Sequence, residues 1–345
     1  MMKELTERQK LILTLVVHEH TRTAQPVASN ALVQLYNLQM SSATVRNEMN
    51  MLTELGYLRQ PHTSAGRVPT EEGYRFFVTN LVQQTTLPMA TRNTISHQFY
   101  QSRQGLSDWL RLAASILASQ SQAVSIVTAP HSEQAAFKHL ELIATHGTQV
   151  LMVLVLVGGE ISQSLLALDA FVSQESLSNT AARLNSLCQN ATLAEIRNVP
   201  IESDSLEERV MAAVVDQMEQ ADKLVTGEVY LDGLSNILAE PEFSEGTLAK
   251  SPLRLLEERP FLDELISKTV LTSDVGGVQV LIGGEGTWQE LRECSLILTR
   301  YGIPDQMTGA LGVLGPMRMP YGHAISTVRF VAGLLSDLVT QTAVE

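Results

Sequence analysis

A chain of 345 residues with 44% hydrophobic content is too long for one small core and too apolar for a disordered or collagen-like chain, so two or three globular domains are expected. Its longest apolar run, residues 150–157, falls far short of the ~20 residues that a membrane-spanning helix needs. The net charge of −13 would exclude a nucleic-acid partner only if it were evenly spread: residues 1–80 carry eight Lys/Arg against seven Asp/Glu, whereas residues 202–264 carry five against sixteen.

The first residues, MMKELTERQK, hold no apolar signal core, so a cytoplasmic location is expected. Thr6 and Gln9 have the spacing of a capping box, in which hydroxyl and amide each satisfy a backbone N–H of the other residue. Leu11, Ile12, Leu15 and Val16 follow at helical spacing, and the helix fades at HTRTAQP. Ser29 is read as the cap of a second helix with Leu32, Leu35 and Tyr36 on one face, and Asn37 as a left-handed turn residue. Ser41 caps a third helix with Val45, Met49, Leu52 and Leu55 on one side, and Gly56 ends it. Residues 57–60 and 67–69 read as two short strands joined by a loop at 61–66. Thr70 caps a fourth helix, with Glu71 and Glu72 where the helix dipole favours them and Tyr74, Phe77, Val78 and Leu81 as its apolar stripe. The polar stretch QQTTLPMATRNT, 83–94, is read as a linker after a first domain at 1–82.

Helical spacing in LSDWLRLAASILASQS then gives way to strand patterns. AVSIVTAP, KHLELIATH, TQVLMVLVLV and EISQSLLAL read as one antiparallel meander. SQESLSNTAARLNSLCQ is a helix, and residues 204–225 form another, with Val210, Val214, Met218 and Ala221 at helical spacing. EVYLDGLSNILAEPEF reads as strand, turn and short helix, and GTLAKSPLRLLEE as helical. Strands return at GVQVLIGGE, CSLILTRYG and GALGVLGP, and YGHAISTVRFVAGLLSDLVTQ is a closing helix. The class is α+β and multidomain. Sheet, acidic helical stretch and sheet again suggest one α+β domain, 95–200 and 273–345, with a second domain inserted at 201–272.

Three short helices and a two-stranded hairpin are the parts of a winged helix-turn-helix, whose third helix enters the major groove. Opposite the apolar side of that helix lie Ala43, Asn47 and Asn50, flanked by Thr44 and Arg46. Asn suits adenine, Arg suits guanine, and Ala or a Thr methyl can pack on a thymine methyl. Ser41 and Ser42 place free N–H groups at the helix start, where a phosphate fits. In the loop QPHTSAGR, His62, Thr63 and Ser64, with Arg59 and Arg67 beside them, suit phosphate contact or insertion into a narrow minor groove.

The remaining motifs point to no chemistry. Cys188 and Cys294 lie far apart and read as buried small hydrophobes. GGEG at 283–286 lacks the Gly-Lys-Ser/Thr ending of a phosphate loop. GVLGPMRMPYG reads as a tight crossover. His139 and His146, seven apart on a strand pattern, fall on opposite faces and share no metal. Asp169, Asp232 and His323 can be drawn as a triad, but no nucleophile elbow accompanies them. No cofactor and no catalytic residue is expected. The acidic run reads as a solvated helical surface or a partner-binding face.

In order and spacing, LTERQKLILTLVV, QPVASNAL, SSATVRNEMNMLTELGYLRQPHTSAGRVPTEEGYRFFV, VYLDGLSNIL, CSLILTRYGI and GALGVLGPMRMPYGHAISTV resemble the HrcA heat-inducible transcription repressors, over nearly the full chain. One departure stands out: Ala28-Ser29-Asn30 replaces the family's usual Gly-Ser-Arg, which removes a possible phosphate contact. The resemblance implies a winged-helix domain, a GAF-like domain and a dimerising domain inserted into it. It implies a homodimer bound to double-stranded DNA at the CIRCE inverted-repeat operator ahead of chaperone operons. It also implies support by the GroEL chaperonin, whose titration by unfolded protein on heating relieves repression. Two rival readings are a metabolite-responsive repressor with a ligand in the GAF-like domain, and an enzyme with a DNA-binding appendage.

Overall fold

The structure, a computed structural model, describes residues 5–62, 65–81, 86–102, 105–132, 135–157, 161–201, 206–223, 228–243, 256, 258–270, 274–283, 288, 291–304 and 306–344. Helix α1 (Glu7–Thr23) starts with the expected capping box: the Gln9 N–H donates to Thr6 Oγ1 at 3.2 Å and the Thr6 N–H to Gln9 Oε1 at 3.0 Å. It ends at Ala24 in a left-handed conformation. Helix α2 (Ser29–Leu35) differs from expectation, since Ala28 is its N-cap and makes no side-chain cap, while Ser29 is its first residue and is buried. Only Leu32 of its expected apolar face is buried, and Leu35 and Tyr36 are exposed. A helix of two turns presents too little surface to α3 to cover three large side chains. Asn37 is left-handed as expected, with φ 48°.

Helix α3 (Ser42–Glu54) is capped by Ser41, whose hydroxyl accepts the Thr44 N–H at 3.1 Å, a contact worth ~1 kcal/mol. Val45, Met49 and Leu52 are buried, one on each successive turn, and Gly56 takes φ +84° to reverse the chain. Strands β1 (Leu58–Arg59) and β2 (Val68–Pro69) pair antiparallel. Val27 extends the hairpin by exchanging two backbone hydrogen bonds of 2.8 Å with Arg67. That approach requires glycine at 66, where a Cβ would stand 2.2 Å from the Val27 carbonyl oxygen. Helix α4 (Glu71–Asn80) is capped by Thr70 and buries Tyr74 and Phe77.

The elements then follow as α5 (Met89–Gln101), α6 (Leu106–Ser121), β3 (Val124–Thr128), β4 (His131–Ser132), β5 (Phe137–Ala144), β6 (Gln149–Leu156), β7 (Ile161–Ala167), α7 (Gln174–Cys188), α8 (Leu193–Ile196), α9 (Leu206–Lys223), β8 (Val229–Asp232), α10 (Leu234–Leu238), α11 (Arg259–Val270), β9 (Val278–Ile282), β10 (Cys294–Ile303), β11 (Met307–Pro316) and α12 (Tyr321–Val344). The stretch expected as a linker is therefore helical from Met89, because Ile95 and Phe99 give α5 a buried side that its polar beginning conceals. GTLAKSPLRLLEE and the last three residues of GGEG fall largely or wholly outside the described residues. No helix among those described is long and apolar enough to cross a membrane.

The protein is α+β, with a helical N-terminal region and several antiparallel sheets. It divides into two compact units. One comprises Met1–Thr128, Val229–Arg300 and Ala310–Leu335, and the other comprises Ala129–Glu228, Tyr301–Gly309 and Ser336–Glu345. The first holds most of a sheet in the order β8-β3-β11-β10-β9. Its core gathers Val124, Ile126, Leu265, Trp288, Leu296, Leu298 and Leu314. The second holds the sheet β5-β6-β7, packed on one face by α7 and α9 through Leu154, Leu177, Leu184, Val210, Val214 and Met218.

This division corrects two expectations. The strand AVSIVTAP does not start the meander; as β3 it pairs with β8 and β11 in the other sheet. Nor does the inserted stretch coincide with the acidic residues 201–272: the chain leaves the first unit after Thr128 and returns at Val229. Helix α9 covers the second unit's core, while β8, α10 and α11 belong to the first.

Candidate nucleic-acid interface

Helix α3 is anchored from within. Val45 and Leu52 are fully buried, as are Ile12, Leu13 and Val16 of α1 and Leu32 of α2, the two helices against which α3 packs. Arg8 of α1 adds an ion pair to Glu48 at 3.5 Å. With one side fixed, helical geometry turns Ser42, Ala43, Arg46, Asn47 and Asn50 to the surface, where all five are exposed; Thr44 is half-buried. Among the described residues, the side chains of Arg46 and Asn47 have no hydrogen-bond or ion-pair partner. Ser41 is less available than expected. Its hydroxyl accepts the Thr44 N–H and lies 3.0 Å from Thr44 Oγ1, so both hydroxyls serve the cap. The N–H groups of Ser42 and Ala43, ahead of the capped one, remain the helix-start donors suited to an anion.

The hairpin is keyed to this helix by one side chain. Arg67 Nη2 donates to Asn50 Oδ1 at 2.6 Å, and its Nε donates to Thr53 Oγ1 at 3.0 Å. Asn50 thereby has its oxygen engaged and its amide N–H groups left to donate. Arg67, expected as a phosphate contact, is a bridge between hairpin and helix. Thr53 is a partner that the sequence pattern does not single out, and its place on the helix wheel beside Asn50 is the available signal. The loop is closed by Gln60 Nε2 donating to the Ala65 carbonyl at 3.1 Å and by the Ala65 N–H donating to the His62 carbonyl at 2.9 Å. His62 is exposed, whereas Thr63 and Ser64 lie outside the described residues.

Arg59 is exposed on β1, next to the buried Leu58. It lines a cavity of about 350 Å3 with His20, Tyr74, Glu242 and Arg318. Alternation along β1 accounts for it, since neighbouring residues of a strand face opposite ways. His20 there is held to a pKa of about 4, chiefly by burial and then by the positive charge of Arg318, so it is neutral and bonds Tyr74 through Nδ1 at 2.7 Å. Asn30, at the departure from the family pattern, turns its oxygen back to the Ala31 N–H at 2.9 Å. Of the residues drawn as a triad, Asp232 accepts the Gly233 N–H at 2.6 Å and Asp169 pairs with Arg209. Both carboxylates serve local structure.

An exposed helix face of Arg, Asn and Ala, with a hairpin tied beside it, matches the donor, acceptor and methyl pattern of major-groove base edges. The family model described as HrcA protein C terminal domain matches residues 107–325. Over 99% of its length the chain is 44% identical to the heat-inducible transcription repressor HrcA of Roseiflexus castenholzii, of which it covers 96%. Over 97% of its length it is 43% identical to the protein of the same name from Herpetosiphon aurantiacus, again covering 96%. A crystal structure of a hypothetical protein at 2.2 Å resolution shares the fold, with TM-score 0.63 at 21% identity, over 98% of this chain and 100% of that one.

Proposed function

The chain belongs to the HrcA family of heat-inducible transcription repressors, and from that premise we propose that it represses chaperone operons in the cytoplasm by binding inverted-repeat DNA as a homodimer. Residues 1–82 are the winged helix-turn-helix in this reading, α3 the helix in the major groove and the β1–β2 hairpin the wing. The observation that carries it is the Arg67–Asn50 bridge, which holds the wing against a helix whose Arg46 and Asn47 stay unspent. By family resemblance the operator is the CIRCE inverted repeat, and the chaperonin GroEL supports the bound form.

The same reading takes the first unit's sheet as the GAF-like domain and the second unit as the dimerising insertion. Its support is the open face of β5-β6-β7. Cross-strand neighbours Ile143, Leu151 and Leu165 form one row, and Val155 and Ile161 continue the surface, with Ile161 and Leu165 more than 60% exposed. Between these apolar positions the same face carries Glu141 and Gln163, with His139 paired to Glu141 at 2.9 Å. Exposed apolar rows with polar groups among them suit an association surface, which a second copy covers with an identical one.

Gel-shift titration on the CIRCE duplex and on a scrambled duplex of equal length tests the proposal. The expected outcome is tighter binding to the repeat, on the order of a thousandfold or more at moderate salt; equal binding to both would overturn it. One observation favours a ligand-responsive variant. A cavity of about 640 Å3 lies between α1, α4 and the start of α12, lined by Val17, Phe77, Leu87, Met319, His18 and His323. That volume suits a small molecule, although the cavity is at a junction and not within the sheet. A thermal-shift screen yielding a specific stabiliser would favour it.

A further inference from the structure

The crossover GPMRMPYG joins β11 to α12 and carries one cation, Arg318. Its side chain is only 12% exposed. Nε donates to Glu242 Oε1 at 2.6 Å, and Nη2 donates to Glu242 Oε2 at 3.1 Å and to Glu240. Nη1 donates to the Thr21 carbonyl at 3.3 Å. Thr21 lies in the last turn of α1, where carbonyls lack helical partners and the dipole favours a cation. One planar fork thus gathers three segments distant in sequence: the end of the first helix, the turn after α10 and the crossover itself.

The surroundings show why a directional contact matters here. Beside the fork, Tyr74 of α4 bonds His20 and packs its ring 6.0 Å from that of Tyr321, which is hydrogen-bonded to Ser295 and to the Met317 carbonyl at 2.6 Å each. Farther along the same junction the cavity of about 640 Å3 opens between α1, α4 and α12. Close packing therefore defines only part of the seat on which residues 1–82 rest. A buried ion pair adds little net stability, because desolvation offsets the attraction, yet it fixes geometry through its several directed bonds.

We infer that Arg318 is a positioning residue for operator recognition: its fork with Glu240, Glu242 and the Thr21 carbonyl holds the N-terminal region at one angle on the first unit's sheet, and so sets which half-site spacing the dimer accepts. The inference rests on the proposed reading of a dimer on an inverted repeat. In such a dimer the second half-site is reached intramolecularly, and its effective concentration depends on where the second head is held. A head free to swivel loses affinity at the native spacing and tolerates altered spacings better. Contacts within one half-site do not change.

The test uses the full chain with Arg318→Met, which keeps most of the side-chain length and removes the fork, and with Glu242→Gln, which keeps shape and weakens it. Each is titrated on CIRCE duplexes with the native spacing, with spacings one and two base pairs longer or shorter, and on a duplex with one half-site. Circular dichroism and sedimentation confirm fold and dimer. The wild type is expected to favour the native repeat over the half-site by on the order of a hundredfold, a preference lost when the spacing changes. Arg318→Met should leave half-site binding unchanged and flatten the spacing profile to within about tenfold. Glu242→Gln should fall between the two, and it decides the matter if Arg318→Met does not fold. A folded dimeric variant that keeps the wild-type spacing profile overturns the inference and leaves the dimeric reading intact. A wild type indifferent to spacing overturns both.

Discussion

Two exposed surfaces of this protein differ in kind. The outer face of α3 presents hydrogen-bonding side chains, Arg46, Asn47 and the amide of Asn50, on a helix whose inner side is fully buried. The outer face of β5-β6-β7 presents Ile143, Ile161 and Leu165, with His139, Glu141 and Gln163 among them, on a sheet whose inner side is equally buried. A polar face costs nothing to leave in water and gains by meeting groups of matched geometry. An apolar face costs free energy until it is covered, at roughly 25 cal/mol per Å2. The first suits a partner met and released, and the second suits one held continuously. Under the proposed reading, these are DNA and a second copy.

The comparison breaks most readily at the sheet. Ile161→Asp combined with Leu165→Asp places two charges where two apolar side chains would be covered. Loss of central contacts costs ~2 kcal/mol or more each, so the dimer dissociation constant is expected to rise on the order of a hundredfold or more by analytical ultracentrifugation. Both residues are exposed, so the melting temperature of the dissociated protein should differ little from that of dilute wild type. Operator binding should fall along with dimerisation. A double variant that stays dimeric would remove this face from the reading.

A smaller effect is expected at the helix. Arg46→Ala and Asn47→Ala remove side chains without a partner in the free protein, so stability should hold within about 0.5 kcal/mol. On the operator each should cost ~1–3 kcal/mol, and on scrambled DNA much less. Equal losses on both duplexes would show that these residues meet the backbone and not base edges.

These two surfaces were unequally legible in the sequence. Helix α3 is written locally: Ser41 and Gly56 bound it, and Val45, Met49 and Leu52 repeat at helical spacing. Its outward residues follow from that periodicity alone. The open sheet face is not local. Strand β6 is apolar on both sides, so its alternation is hidden, and the pairing that joins Ile143, Leu151 and Leu165 spans distant segments. For the same reason the pattern of β3 points to the wrong sheet, since a strand's pattern does not name its neighbour. The acidic run misled in another way. Charge marked it as one domain, yet Val210, Val214 and Met218 on its first helix belong to the core under the meander. Arg318 was visible only as part of a crossover, because its partners Thr21, Glu240 and Glu242 are brought to it by the tertiary fold.

The smallest predicted effect separates two roles for Arg67. Read from the sequence, Arg67 is a backbone contact, and its loss would weaken operator and scrambled DNA alike. In the structure its Nη2 is spent on Asn50 and its Nε on Thr53. Its removal should therefore act through the helix, by freeing the Asn50 oxygen and loosening the hairpin. A double-mutant cycle on operator affinity with Arg67→Ala and Asn50→Ala is expected to give a coupling on the order of 1 kcal/mol, with the double variant little worse than either single one. The salt dependence of binding should stay at the wild-type slope, because no phosphate partner is lost. Additive losses, with the slope reduced by about one, would return Arg67 to the DNA backbone. The polar face of α3 would then consist of Arg46 and Asn47, with Asn50 held independently of the hairpin.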